Sequence, residues 1–355
     1  MVWTFEFYRT QDGSHPTVYS MAASEGQWAT RLTGRGQAQH QIPLANSGMS
    51  YSDIRDLSTG NKYTIVQKWG SHVTYAGVIQ RVWYVRSKQM LYITSQELRQ
   101  AYMNDRMLYG VYNYEPGGTV LSVSNKSHSG ATRAVLAKAM SWDWFWELPI
   151  DLPADGSGGF SASWQHSERL KLEDHLTQIE ADGCEINFRP YISSGNLRYA
   201  TEVASQVTVG SATSLNADGG PIIDITPTFD YAREMTGLLG FGKGGTGAYA
   251  YGYSPGDGSA AIGVRDSWLS FPDIDGARLE AAVEAMDYVG YPTEQWSVDL
   301  NIWPNGPAAY APGSLLNISI SGDPIIPDGT HNMRVIALHG DLGTTVTAEV
   351  QRAAA

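Results

Sequence analysis

At 355 residues the chain is too long for one typical core and suits two to four modules, and its 38 Gly, 20 Tyr and 11 Trp favour a β-rich protein with many turns. A formal net charge of −12 with no Lys/Arg cluster argues against a protein that grips a phosphate backbone, and suits a surface past which DNA slides. The single cysteine, Cys184, excludes an intrachain disulfide and fits a reducing cytoplasm, while the start of the chain shows no secretory signal and no run reaches the length of a membrane span.

Residues 2–9 alternate aromatic and polar, then Gln11-Asp12-Gly13-Ser14 turns: a first strand and hairpin turn. Residues 27–32 read as a strand and 34–36 as a loop; residues 37–44 are polar with a Pro; residues 52–57 suit a short helical turn. Residues 63–69 are a clear strand. Around Gly77, Val73, Tyr75, Val78 and Ile79 predict a strand with a bulge or sharp bend. Val82, Tyr84, Leu91 and Ile93 continue with period two about the polar turn Arg86-Ser87-Lys88-Gln89. Thr94 or Ser95 caps a helix from Gln96, with Leu98, Tyr102 and Met107 apolar and a stop at Gly110. Residues 1–112 make a first β-barrel-like domain.

Residues 114–118 form a linker-like turn. A helix comes next over 129–140, with Ala131, Val135, Leu136 and Ala139 on one side. After Trp142, Trp144 and Trp146 comes a loop rich in Pro, Asp and Gly. A second helix spans 167–181 on Leu170, Leu172, Leu176 and Ile179, and a hairpin turns at Ser193-Ser194-Gly195-Asn196. Residues 113–200 are thus an α+β module. Residues 201–295 form a connecting region with strands, a glycine-rich stretch at 237–263 and a helix at 275–288. Strands at 296–302, 315–321, 333–339 and 344–350 close a second barrel, the core of residues 296–355, which earlier strands complete. The second strand pairs with the third across the connection holding Pro324 and Pro327, and the third with the fourth through Gly340-Asp341-Leu342-Gly343. The fold class is a β-rich α+β multidomain protein: two β-barrels with an inserted α+β module.

The run from Val73 to Val111 resembles the signature of the baseplate hub family of phage minor tail proteins, the tail-tip or tail-associated proteins of long non-contractile-tailed phages. Ala76-Gly77-Val78-Ile79, Leu91-Tyr92-Ile93-Thr94, Glu97-Leu98 and Arg106 carry it. Residues 183–197, 229–242 and 322–334 match in the same order, so the resemblance covers nearly the whole chain. It implies a ring-shaped homotrimer at the virion tail tip, assembled in the host cytoplasm and with no enzymatic role. It further implies docking to a hexameric distal tail ring protein, beside other tail-tip and tape-measure proteins. The ring would close the tail tube until DNA ejection, touching DNA only in transit. Two similar barrels per chain, alternating about the axis, would offer six similar surfaces, with few basic residues on the inner wall. Family members often carry C-terminal hydrolase or receptor-binding extensions; Ala355 comes soon after the last strand, a departure that speaks against a lytic role.

Gly240-Phe241-Gly242-Lys243-Gly244-Gly245 matches G-x-G-x-x-G formally, but residues 246–253 cannot start the helix that phosphate binding needs. The stretch reads instead as a mobile loop or interface arm. Tyr249, Tyr251 and Tyr253 alternate, lie on one side of an extended arm, and are the interaction or gating candidates. Trp142, Trp144 and Trp146 share one strand face, fit either to stack sugars or to be buried at an interface. A glycan-binding host-adsorption protein is therefore the alternative function. There is no H-E-x-x-H and no G-x-S-x-G. His166 and His175 fall on different faces, Asp273 and Asp275 read as loop charges, and Cys184 as a buried, inert thiol. No catalytic, cofactor-binding or metal-ligating residue is assigned, and no cofactor.

Overall fold

A computed structural model of the chain describes residues 3–15, 20–22, 24–45, 47, 49–110, 113–141, 147–230, 236–251, 266–271, 276–284 and 293–353. These residues divide into two compact units. The larger comprises residues 1–180, 184–224 and 298–355, and the smaller 181–183 and 225–297.

The first stretch is β1 (Trp3–Arg9), β2 (Ser20–Ala22), β3 (Glu25–Arg31), β4 (Gln37–Pro43), α1 (Tyr51–Leu57), β5 (Tyr63–Trp69), β6 (His72–Val85) and β7 (Met90–Glu97). Alternation is what makes these strands: Ala38, His40 and Ile42 of β4 and Leu91, Ile93, Ser95 and Glu97 of β7 point inward, their neighbours outward. Residues 37–43 are therefore a strand despite their polar look, with Pro43 at its end. Sequence alone placed a helix from Gln96. The inward pattern instead carries β7 on to Glu97, paired with Gly77, and only a short π-helical turn, Arg99–Met103, comes after it. Gly77 is not itself a bulge; the register of β6 slips between Ile79 and Arg81. Gly77 is glycine because a Cβ there would lie 2.1 Å from the Tyr75 hydroxyl, which is buried against Ser95.

The next elements are β8 (Thr119–Lys126), α2 (His128–Met140), β9 (Ile150–Asp151), β10 (Phe160–Gln165), α3 (Leu172–Glu180), β11 (Glu185–Ser193) and β12 (Asn196–Ala204). Ser127 caps α2 by accepting from the Gly130 amide at 3.0 Å. The helix foreseen over 167–181 is shorter: a 3-10 turn, His166–Glu168, ends at Arg169 with φ of 56°, and α3 starts afresh at Leu172. This region shares one core with the first strands. Tyr8, Val66 and Val78 pack with Val135, Leu136, Leu176 and Ile179. On their other face β1, β5 and β6 bury Phe5, Phe7, Ile65 and Ile79 with Ile42 and Ile93. A sheet covered on both sides explains why every residue of β5 is buried except Lys68, the polar Thr64 and Gln67 included.

The last elements are β13 (Val209–Asn216), β14 (Ile222–Asp230), β15 (Gly237–Phe241), β16 (Gly247–Tyr251), β17 (Asp266–Ser270), α4 (Gly276–Glu284), β18 (Thr293–Asn301), β19 (Ser314–Ile320), β20 (Gly329–Gly340) and β21 (Thr345–Arg352). β19 pairs with β20 and β20 with β21, the pairings expected from the two connections. The expected pair of barrels is not what forms. One sheet runs in the order β14-β18-β21-β20-β3-β4-β7-β6-β5-β1-β2, with β19 branching from β20 and β13 pairing with β19, and no barrel closes among the described residues. The reason lies in β20. Its 12 residues reach about 40 Å at the usual rise per residue. One flank holds β19 over residues 329–334 and β3 over 337–340, while β21 lines the other. One strand thus belongs to both the early and the late sheet. Two indoles secure the junction: Trp3 donates to the Gly343 carbonyl at 3.0 Å and Trp28 to that of Asp341 at 2.9 Å. Among the described residues no helix is long and apolar enough to cross a membrane.

Within the smaller unit the glycine-rich stretch is not a single loop. Residues 237–251 form the hairpin β15–β16, and β17 adds in parallel on the other flank of β15. α4 covers one face, where Leu238, Ala248, Leu279 and Val283 are buried. Gly240 lets the helix approach, since a Cβ would sit 2.3 Å from a Val283 methyl.

Candidate functional site

Among the described residues, the face of the smaller unit's sheet opposite α4 is aromatic. Leu239 lies opposite Tyr249 on one side and Trp268 on the other, and Phe241 comes two residues on, so all four share a face. Trp268 is 64% exposed, Tyr249 67% and Phe241 40%, and the Phe241 and Trp268 rings meet edge to face at 6.1 Å. Tyr251 pairs with Gly237. Tyr253 lies outside the described residues, as do Trp142, Trp144, Trp146, Asp273 and Asp275. Trp268 stands on this face across β15 from the predicted Tyr249. Its place in the polar run Asp266–Ser270 gave no signal without knowing which strand it joins.

The glycine motif at 240–245 is spent on its own turn. The amides of Gly242, Gly245 and Thr246 donate to the carbonyls of Thr246, Gly242 and Lys243, and a strand comes next where a phosphate loop needs a helix. His166 lies between Tyr109 and Tyr114, whereas His175 packs on Trp164 and bonds the Lys171 carbonyl through Nδ1. Burial lowers the His175 pKa. The two histidines are not brought together, and among the described residues no three His, Cys, Asp or Glu side chains converge as a metal cage. Cys184 is buried, its thiol on the Ile179 carbonyl at 3.4 Å.

The larger unit buries charge at three points that sequence reading passed over. The Arg99 side chain, 1% exposed, forks onto both carboxylates of α3's inner face. Nε reaches Glu173 at 2.9 Å, Nη2 reaches Glu180 at 2.5 Å, and Nη1 reaches the Ile186 carbonyl at 2.9 Å. Burial alone would lower the pKa of Arg99; Glu180 and Glu173 outweigh it and raise it. Arg334 grips Glu185 through two nitrogens, at 2.6 and 2.7 Å. Glu97 accepts from Thr30 Oγ1 and the Gly36 amide, each at 2.5 Å. Burial pushes its carboxyl up to about 7, against the pull of those donors. Arg106, by contrast, stacks its guanidinium 4.2 Å from the centre of the Tyr102 ring. These groups hold elements together. Beside Glu97 lies a cleft of about 330 Å³, also lined by residues 71–74 and 187–192.

No protein-family model matches the sequence, and no curated protein matches it. Solved structures do. The 43 kDa tail protein of prophage MuSo2 from Shewanella oneidensis is similar at a TM-score of 0.62 and 10% identity, over 99% of this chain and 98% of that one. The tail protein from Neisseria meningitidis MC58 gives 0.60 and 10%, over 99% and 97%. The E. coli c3393 protein, a type VI secretion component with structural similarity to T4 bacteriophage tail proteins gp27 and gp5, gives 0.52 and 8%, over 94% and 74%. Over its full length, therefore, this chain has the fold of phage tail proteins.

Proposed function

We propose that the protein is a non-enzymatic structural subunit of a phage tail tip, a baseplate hub. The full-length likeness in fold to two tail proteins carries this reading. Three copies form a ring that docks on the distal tail ring protein, beside other tail-tip and tape-measure proteins, and closes the tube until DNA ejection. Residues 1–112 and 296–355 build the ring body. Their strands meet along β20, so each chain offers an early and a late flank of one sheet in place of two closed barrels. Residues 113–200 and 201–295 are inserts, and Tyr249, Tyr251 and Tyr253 belong to an interaction or gating surface. A net charge of −12 suits a lumen through which DNA passes without sticking. Electron-microscopic reconstruction of virions tests the proposal: three copies about the tail axis are expected, and one or six overturn it.

One observation favours the alternative of a glycan-binding adsorption protein: Trp268 and Tyr249 present exposed rings on one sheet face, as sugar stacking requires. A glycan array separates the readings. Binding that Trp268→Ala abolishes would favour adsorption, and an array without signal the hub.

A further inference from the structure

β11 is the outer strand of the sheet β11-β12-β9, with β12 on one flank and no strand on the other among the described residues. The turn Ser194-Gly195 joins Ser193 to its partner Asn196, so that pair exchanges hydrogen bonds and the pattern alternates from there. Tyr191, Arg189 and Asn187 turn their backbone groups to β12; Ile192, Pro190, Phe188 and Ile186 turn theirs away. Two sets of contacts fix this phase independently. Leu197 and Tyr199, opposite Ile192 and Pro190, donate away from β11 to the carbonyls of Gly13 and Pro149, each at 2.8 Å. The Ile186 amide donates to Glu180 at 3.1 Å and its carbonyl accepts from Arg99. Beyond Ile186 the outward row is the amides of Phe188 and Ile192 and the carbonyls of Phe188, Pro190 and Ile192. Pro190 stands at a position where its missing N–H takes nothing from the ladder with β12.

This row lines the cleft of about 330 Å³. Residues 71–74 line it too, at the start of β6 before that strand gains β7 at Gly77. Arg31 and Arg189 line it as well, each already paired with a carboxylate, Glu349 at 3.5 Å and Glu202 at 2.5 Å, so the backbone row is what the cleft offers a guest.

We infer that the cleft takes an extended polypeptide segment of another protein, which adds to β11 as a fourth strand. A row of backbone donors and acceptors at strand spacing is matched by another extended backbone, which no helix, sugar or nucleic acid supplies. The guest makes main-chain bonds at Phe188 and Ile192 and needs no acceptor opposite Pro190. A second copy offering its own β11 is a poor guest, because it would set one donor-depleted edge against another. The inference does not depend on the number of copies in the ring.

A photo-crosslinking residue at Ala308, which is exposed and lines the cleft, tests it in the cells that make the protein. Crosslinks should map to one short segment of a single different protein. A synthetic peptide of that segment should slow exchange of the Ile192 amide in the purified chain by about tenfold or more. Ile192→Pro deletes one outward donor and should lower crosslink yield roughly fivefold, the equivalent of about 1 kcal/mol, with an unchanged melting curve. If that variant misfolds, Ser71→Trp fills the cleft from residues 71–74 and should abolish the crosslink. Crosslinks to another copy of this chain, no crosslink, or a crosslink indifferent to the folded variant overturn the inference. The copy count in virions is a separate measurement, so a failed hub reading and a failed docking reading are told apart.

Discussion

Arg99→Met should be among the most damaging single changes in the larger unit. The guanidinium makes five hydrogen bonds to Glu173, Glu180 and the Ile186 carbonyl, all between 2.5 and 3.1 Å. Breaking a buried pair by removing one partner costs about 3–5 kcal/mol, because a charge is left in a poor solvent. Two features place this case at the lower end, about 3 kcal/mol. Glu173 keeps Arg35 at 2.6 Å, and Glu180, 22% exposed, keeps the Ile186 amide. Urea denaturation followed by far-ultraviolet circular dichroism reads it. The triple variant Arg99→Met/Glu173→Gln/Glu180→Gln should recover most of the loss by removing the stranded charges. A single variant that loses under about 1 kcal/mol, or a triple variant as weak as the single, would refute the reasoning.

Glu97 makes stability depend on pH. Its folded pKa of about 7 lies above the ordinary 4.5, so between those values the unfolded chain releases a proton that the folded chain keeps. Glu97 therefore contributes a fall in stability of about 3 kcal/mol as pH rises through that window. His40, whose pKa burial pushes down to about 4, contributes in the opposite sense below about 6.5, so the Glu97 part is the difference in slope between wild type and Glu97→Gln. Denaturation of both proteins at about pH 5 and about pH 8 checks this, and a Glu97→Gln variant with the wild-type pH dependence rejects the argument. Gly77→Ala should cost about 1–3 kcal/mol by driving a methyl into the Tyr75 hydroxyl, with part of the loss restored by adding Tyr75→Phe; a thermal melt with no shift would count against the close contact. Trp268→Ala/Tyr249→Ala should leave the stability of the purified chain within about 0.5 kcal/mol while lowering its incorporation into tails, read by quantitative blotting of purified particles; equal incorporation would remove the smaller unit's aromatic face from assembly.

Strands whose inner face is apolar were legible, and so were the closing pairings, because Gly340-Asp341-Leu342-Gly343 can only turn. Three kinds of feature were not. β4 hides behind Gln37, Gln39 and Gln41, because its inward residues are Ala38, His40 and Ile42 and only two of those look like core. The end of β7 was read as a helix start because Ser95 and Glu97, inward and buried, are polar; their partners Tyr75 and Thr30 lie 20 and 67 residues away. The hairpin at 237–251 was lost in its glycines. Gly240 serves the packing of α4, whereas Gly244 and Gly245 take φ of 68° and 79° in the turn. Closure of two barrels failed for a further reason. Nothing local in residues 329–340 says that one strand will pair with β19 by its first half and with β3 by its second.

The same particulars bear on how 10% identity can accompany a fold shared over 99% of the chain. Inward positions of a strand ask only for an apolar side chain of about the right volume, so Phe5, Ile65 or Val78 can drift among alternatives while the sheet persists. Stricter demands arise where backbones nearly touch. A Cβ at Gly36 would lie 2.2 Å from the Ala29 carbonyl, and one at Gly13 2.0 Å from that of Leu197. Buried charge is equally strict, since Arg99 requires both Glu173 and Glu180, set seven residues apart so that two helical turns bring them to one face. These requirements are single residues scattered along the chain and joined only in space. They leave no contiguous motif for a sequence model to catch. In this chain they fix the path of the sheet through β20, by contacts that only the folded backbone brings together.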